Sequence, residues 1–129
     1  MDNVRWKVID PLGNEIYLGE ENFRYHVTGM HDEKDALTRE QLEEKVKYTL
    51  QQPCFIVKDK NIATRKVYLN LVDVQNDESI SLRPLCVIVE ENGEVVTWFA
   101  TRTINIKVQS NRGIIYDRRV RDLQIRQEI

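Results

Sequence analysis

The chain changes its hydrophobic period at Pro53, and this change constrains the fold more than any other feature of the sequence. Upstream, residues 38–41 (Thr-Arg-Glu-Gln) match a capping box, in which the Thr hydroxyl and the Gln side chain satisfy free backbone N–H groups at a helix start. One helical face then carries Leu42, Val46, Thr49 and Leu50. Because proline cannot continue a helix, we expect this helix to end near Gln52.

Downstream of Pro53 the apolar residues follow the period of β-strands. The segments rich in Val, Ile, Tyr, Phe and Thr are Cys54–Val57, Lys66–Val74, Leu85–Glu90 and Glu94–Ile104. Asn92-Gly93 predicts a two-residue type I′ hairpin turn between the last two. Helices first and strands later favour an α+β fold with an antiparallel sheet of about four strands, because parallel strands would need crossovers between them.

The N-terminal part predicts a hairpin followed by a short helix. Strands at Trp6–Asp10 and Glu15–Leu18 flank a turn made by Pro11-Leu12-Gly13-Asn14. Within Glu20–Met30, one helical face carries Phe23, His26, Val27 and Met30. Beyond Lys107 the sequence leaves a further strand, a helix and a loose tail open.

Length and composition predict one soluble domain. The 129 residues are 41% hydrophobic and 31% charged, with a core over about 4–108 and a basic segment at 109–129. No apolar run is long enough for a membrane span, and no secretory signal precedes the first strand, so we expect a cytoplasmic protein without a membrane partner. Cys54 and Cys86 lie in apolar runs, which predicts buried, reduced thiols.

The charge is unevenly distributed along the chain. Residues 1–53 carry seven basic against eleven acidic side chains, residues 54–100 five against seven, and residues 101–129 seven against three. The basic end comprises Arg102, Lys107, Arg112, Arg118, Arg119, Arg121 and Arg126. A stretch like this forms a solvated face, an interaction tail or an anion site.

The chain holds no motif for cofactor or metal chemistry: there is no Gly-rich phosphate loop, zinc-spaced cysteine pair, His-Glu-x-x-His or G-x-S-x-G. We therefore expect no cofactor. Its only histidines are His26 and His31, and an imidazole titrates in the range needed for proton transfer. Each is equally open to a structural role, and their spacing, with Asp32 as the nearby carboxylate, is poor for a metal site.

Several polar residues lie within the apolar strands. Arg65 and Tyr68 belong to one strand, while strand alternation puts Thr97, Phe99 and Thr101 on one face of another and Val96, Trp98 and Ala100 on its core face. The threonine hydroxyls could bind a phosphate, and Phe99 or Tyr68 could stack on a base, with Arg102 as a neighbouring cation. The alternative is that threonine is present for its strand propensity.

Together these residues resemble the phage and mobile-element nuclease domains grouped with barnase, EndoU, colicin and RelE. The resemblance covers roughly residues 15–105. It is carried by the histidine pair ending in His31-Asp32-Glu33, by Leu50-Gln51-Gln52-Pro53, by Arg65 with Tyr68-Leu69, and by Val95-Val96-Thr97-Trp98-Phe99.

The resemblance implies a helical part packed on a four-stranded antiparallel sheet and a metal-independent ribonuclease. His26 or His31 would be general base or acid, Arg65 would stabilise the phosphorane, and Thr97 would hydrogen-bond the phosphate. The RNA 2′-hydroxyl would attack the adjacent phosphate and leave a cyclic phosphate.

Two other functions remain open from the sequence. The same sheet face or the basic tail could bind a protein or a nucleic acid without catalysis. A ribonuclease of this kind could also have a protein inhibitor as its partner. An exposed strand edge could also pair with a second copy of the chain to form a homodimer.

Overall fold

The computed structural model describes residues 3–24, 39–76, 79–101 and 113–120. The elements are β1 (Val4–Ile9), β2 (Glu15–Gly19), α1 (Glu20–Asn22), α2 (Glu43–Gln51), β3 (Phe55–Lys58), β4 (Lys66–Asn76), β5 (Ser79–Val89), β6 (Val95–Ala100) and β7 (Ile114–Asp117). Every strand pair within the two sheets is antiparallel, which confirms the α+β prediction.

The larger sheet has the order β6-β5-β4-β3-β7, and β1 and β2 form a separate two-stranded sheet. The larger sheet therefore has five described strands, where the sequence indicated about four. The additional strand is β7, from the arginine-rich region, which the sequence left open. It pairs with β3 through Ile56 and Tyr116. These residues are sixty positions apart, so no local sequence pattern predicts their pairing.

The β1–β2 and β5–β6 hairpins use the same three-residue loop. In the first, Asp10 N donates to Asn14 O (2.9 Å) and Gly13 N to Asp10 O (3.1 Å), with Gly13 at φ +88°. In the second, Glu90 N donates to Glu94 O (2.8 Å) and Gly93 N to Glu90 O (2.9 Å), with Gly93 at φ +94°. A type I turn followed by a left-handed glycine gives this pattern. The predicted two-residue type I′ turn is therefore wrong.

Gly93 also joins the two sheets. Its carbonyl accepts a hydrogen bond from Tyr17 N (2.9 Å), and a Cβ at this position would lie 2.5 Å from Glu15 O. Only glycine fits such a close backbone approach at positive φ. The β1–β2 hairpin is thereby held against the β5–β6 turn.

The core lies between α2, the β1–β2 hairpin and one face of the large sheet. From α2 it receives Val46, Thr49 and Leu50, as the predicted helical face requires. Alternate residues of the strands supply the rest of its large side chains, which include Ile16, Leu18, Ile56, Tyr68, Leu85, Val87, Val89 and Trp98. Burying alternate residues is what places the intervening side chains on the opposite face.

Helix α2 ends where the sequence predicts and begins later. Gln52 N donates to Tyr48 O (2.8 Å), and Pro53 follows. At the start, residues 39–41 form a separate helical turn, and Leu42 is the N-cap of α2 without a side-chain cap. Thr38, the proposed capping residue, lies outside the described residues.

Two predicted segments lie partly or wholly outside the described residues. Of the predicted helix Glu20–Met30, the structure describes only α1 and the two residues that follow it, so His26 is not described. His31 also lies outside the described residues. Arg102 falls outside as well. Among the described residues, no helix is both long and apolar enough to cross a membrane.

Candidate functional site at strand β6

Strand β6 carries polar side chains opposite its core face. Trp98 is fully buried in the core, while Thr97 and Phe99 lie on the other face and are half-buried. Thr97 pairs with Ile88 and Phe99 pairs with Cys86 of β5. This confirms the predicted facing of Thr97, Trp98 and Phe99, which leaves Thr97 and Phe99 side by side on one surface. The register shift between Ile88 and Val89 puts Val95 in the core where the alternation predicted Val96, which is half-buried.

Arg39 crosses the edge of β6 and contacts both of its faces. Its Nη1 donates to Thr97 Oγ1 at 3.1 Å and to the backbone carbonyl of Trp98. On the core side, Trp98 Nε1 donates to the Arg39 carbonyl at 2.8 Å. The carbonyl groups along the outer side of an edge strand have no partner strand to donate to them. Here the Arg39 guanidinium donates to one of these carbonyls, that of Trp98. The result is a cation held beside the Thr97 hydroxyl.

The described residues on both sides of segment 25–38 contact β6. Before it, Asn22 Nδ2 donates to Glu94 Oε1 (2.7 Å) and Val95 O (3.2 Å), and the Phe23 ring lies 6.2 Å from that of Trp98. After it, Arg39 contacts the strand as described above. The described residues that flank the histidine-bearing segment are therefore held at β6 on both sides.

Arg65 lies just before β4 and is paired with a carboxylate. Its Nε donates to Glu90 Oε2 at 2.8 Å, and Thr64 Oγ1 donates to Glu90 Oε1 at 2.6 Å. The hydrogen bonds from Thr64 and Arg65 lower the pKa of Glu90. Glu90 is thus ionised at neutral pH and balances the charge of Arg65.

Tyr68 points into the core and joins two distant parts of the chain. It is fully buried, and its hydroxyl donates to Asp10 Oδ2 at 2.5 Å. Burial, then the hydrogen bond to Asp10, raises the pKa of Tyr68. The carboxylate of Asp10 also accepts from Leu12 N (2.9 Å) and Asn14 N (2.8 Å), so Tyr68 fixes the first hairpin turn. A base could not stack on this ring without opening the core.

Thr101 and the two cysteines lie at the margin of the surface. Thr101 is half-buried, and its N–H donates to Pro84 O at 2.9 Å, which continues the β5–β6 ladder. Cys54 and Cys86 are both free and half-buried, where the sequence predicted full burial. Cys54 Sγ donates to Asn70 Oδ1 (3.1 Å), and burial raises the pKa of the Cys86 thiol to about 11.

No group of three or more His, Cys, Asp or Glu side chains that could hold a metal ion occurs in the part of the chain that the structure describes.

A separate open groove lies between β1 and α2. Its walls are Lys7, Val8, Ile9, Asp10, Pro11, Tyr48, Gln51 and Gln52, and the sequence singled out none of these for chemistry.

Sequence reasoning missed Arg39 as a site residue and Asp10 as a partner of Tyr68. Arg39 lies inside the capping-box motif, so the sequence accounts for it as a residue at the start of a helix. Nothing in that motif predicts its contact with Thr97, which lies fifty-eight positions later in the chain. Asp10 precedes a turn, where aspartate is common. Neither long-range contact has a local signal.

Comparison with known proteins adds no relative from which a role could be transferred. No protein-family model, no curated protein and no solved structure matches the chain.

Proposed function

We propose that the chain is a metal-independent endoribonuclease domain whose site lies along β6, with Thr97 as a phosphate contact and a histidine of segment 25–38 as the proton-transfer group. One observation carries the proposal: the residues on both sides of that segment contact β6, Asn22 and Phe23 at Val95 and Trp98 on its core side and Arg39 at the Thr97 hydroxyl.

Chain geometry makes His26 the stronger of the two candidates. It follows Phe23 by three residues, and three extended residues span at most about 11 Å. His31 precedes Arg39 by eight residues and has more freedom. A group that is tethered this closely to β6 can reach the strand edge where Arg39 contacts Thr97, and reach to the proton it removes is the first requirement of a general base.

The reaction is transfer of a phosphoryl group within the RNA chain. A base removes the proton of the 2′-hydroxyl, the oxygen attacks phosphorus, and the bond to the 5′-oxygen breaks. A second group returns a proton to that oxygen, which leaves a 2′,3′-cyclic phosphate and a 5′-hydroxyl. Thr97 donates a hydrogen bond to a non-bridging oxygen, where charge develops.

The surroundings of Thr97 suit a single-stranded substrate. Phe99 lies on the same face and offers a ring edge or face to a base. Residues 101–129 carry seven basic against three acidic side chains, which supplies attraction to phosphate in an otherwise acidic chain. The two free cysteines fit a reducing compartment, so we propose cytoplasmic RNA as the substrate.

The test is cleavage of a mixed RNA pool by the purified protein in EDTA. We expect cyclic-phosphate ends, loss of activity in the His26→Ala/His31→Ala double variant, and a fall of about 100-fold for Thr97→Val, which keeps the shape and removes the hydroxyl. Thr49→Val is the matched control, because it makes the same change on α2, away from β6, and it should stay within about threefold of wild type for the folded fraction.

Equal cleavage by the double variant would reject the assignment. If the wild type binds RNA and does not cleave it, the domain is a nucleic-acid-binding module. If it does neither, the proposal fails altogether.

A further inference from the structure

We propose that Arg39, and not Arg65, is the cation that binds the substrate phosphate at β6. This inference rests on the proposed function, because it assigns a residue to the same site. It gives the site a ligand class, a phosphodiester or free phosphate, and a second donor beside Thr97.

The first step is the geometry of the pair. A guanidinium nitrogen and a threonine hydroxyl lie 3.1 Å apart on the surface that also carries Phe99. A guanidinium donates up to five hydrogen bonds in a planar fork that matches the oxygens of a phosphate. A phosphate that reaches the Thr97 hydroxyl is therefore within reach of Arg39.

The second step is the position of Arg65. Its charge is balanced by Glu90, which Thr64 also holds. Thr97 pairs with Ile88, two residues before Glu90 on the neighbouring strand. Two residues along a strand and one strand across separate the two points by about 8 Å. Arg65 would have to leave an ionised carboxylate and cross this distance.

The third step is preorganisation. The Arg39 backbone is fixed by the indole N–H of Trp98, which is fully buried. Its guanidinium is held on β6 by the Thr97 hydroxyl and the Trp98 carbonyl. A donor held in place before the reaction stabilises developing charge without reorganisation. Arg39 thus meets the requirement that the resemblance assigns to Arg65.

The experiment compares Arg39→Gln and Arg39→Lys with the matched pair Arg65→Gln and Arg65→Lys. Cleavage is measured as kcat and KM. Binding is measured with inorganic phosphate and with an RNA oligonucleotide that cannot be cleaved because the 2′-hydroxyl at the scissile position is replaced by hydrogen. Thermal unfolding of each variant identifies the folded fraction.

We expect Arg39→Gln to lower kcat/KM by about 100-fold or more. It should also weaken oligonucleotide binding by about tenfold, as expected for loss of a charged hydrogen bond. Arg39→Lys should recover part of the binding and little of kcat, because lysine lacks the fork. Both Arg65 variants should bind and cleave within about threefold of wild type.

The outcomes separate the inference from the proposed function. If the wild type cleaves and the Arg65 variants lose activity while Arg39→Gln keeps it, the inference is overturned and the function stands. If the wild type does not cleave but phosphate and oligonucleotide binding depend on Arg39 alone, the function fails and the inference stands. Unchanged binding in the folded Arg39→Gln variant overturns the inference in either case.

Discussion

The phenol of Tyr68 donates a 2.5 Å hydrogen bond to the buried carboxylate of Asp10, which lies fifty-eight residues earlier in the chain. Asp10 in turn accepts the backbone N–H groups of the first hairpin loop, so one carboxylate joins the central strand β4 to the β1–β2 turn. Tyr68, which the sequence analysis offered as a ring for base stacking, therefore has a structural role: it links β4 to the first hairpin turn.

Replacing Tyr68 with Phe should lower the free energy of unfolding by about 1–3 kcal/mol, because it leaves a buried acceptor without one of its donors. Urea unfolding monitored by circular dichroism measures this. Tyr48→Phe is the control, since Tyr48 is 54% exposed and should change stability by less than about 0.5 kcal/mol. Equal effects in both variants would contradict the structural role of Tyr68.

Gly93→Ala should destabilise the protein more than Gly13→Ala. Both glycines have positive φ, so each substitution costs about 1 kcal/mol in backbone strain. At Gly93 the new Cβ would also lie 2.5 Å from Glu15 O, whereas nothing lies within 4 Å of the one at Gly13. We expect a difference of about 1–3 kcal/mol between the two variants in urea unfolding. No difference would contradict the close approach of the two hairpins.

Glu43 should make stability depend on pH in the acid range. Its burial acts to raise its pKa, but the hydrogen bonds from Arg5 and Trp6 outweigh burial, and the pKa of Glu43 is lowered. A lowered folded pKa gives stability that is present above the pKa of the unfolded chain and is lost as pH falls through the folded pKa.

The corresponding test is the free energy of unfolding between about pH 3 and pH 7 for wild type and Glu43→Gln. At neutral pH the variant should lose about 2 kcal/mol, the contribution of hydrogen bonds to a charged group. This difference should shrink toward acid pH. Glu44→Gln is the control, because the Glu44 side chain is 81% exposed. A difference that stays constant with pH would reject the assignment to Glu43.

Cys86 should react slowly with thiol reagents. Burial raises its thiol pKa to about 11, two units above the reference value of 9.0. Since the thiolate is the reactive form, the rate at mildly alkaline pH should be about 100-fold below that of an ordinary cysteine. The Cys54→Ser variant isolates this thiol for a disulfide-exchange assay, and urea-unfolded protein gives the reference rate. Reaction of the folded variant at the unfolded rate would show that Cys86 is accessible.

Trp98→Phe should lower kcat by more than the accompanying loss of folded protein explains. The substitution keeps most of the buried ring and removes the hydrogen bond to the Arg39 carbonyl. We expect a loss of about 2–3 kcal/mol in stability, because the substitution removes a hydrogen bond and buried volume. We expect a fall of tenfold or more in kcat for the folded fraction, because Arg39 loses one of the contacts that position it. Trp6→Phe is the control, since it removes an indole hydrogen bond to Glu43 (3.1 Å) that lies outside the proposed site. Equal kcat in the two variants would contradict the positioning role of Trp98.

Much of the fold could be predicted from local rules. Pro53 ends α2 because its ring excludes a helical residue before it, and the first hairpin and strands β3, β4 and β6 appear near their predicted positions. The alternation that buries Trp98 and turns Thr97 outward also follows from the period of a strand. These features depend on residues a few positions apart.

The site itself depended on contacts that local rules do not reach. Gly93 could be identified as a turn residue, but the three-residue loop was decided by the pairing of Glu90 with Glu94. Threonine and arginine both appeared in the predicted site, yet the arginine that contacts Thr97 is Arg39 and not Arg65.

The sequence by itself therefore determined where α2 ends, where the first hairpin and strands β3, β4 and β6 lie, and that Trp98 faces the core while Thr97 faces away from it. Sterics, proline geometry and hydrophobic period, which act between near neighbours, are sufficient for these features. Only the tertiary structure decided that β7 pairs with β3, that Tyr68 donates a hydrogen bond to Asp10, and that Arg39 donates a hydrogen bond to Thr97. The physical reason is that these contacts join residues about sixty positions apart. They form because burying the shared core brings those segments together, and side-chain hydrogen bonds then select among the neighbours that result.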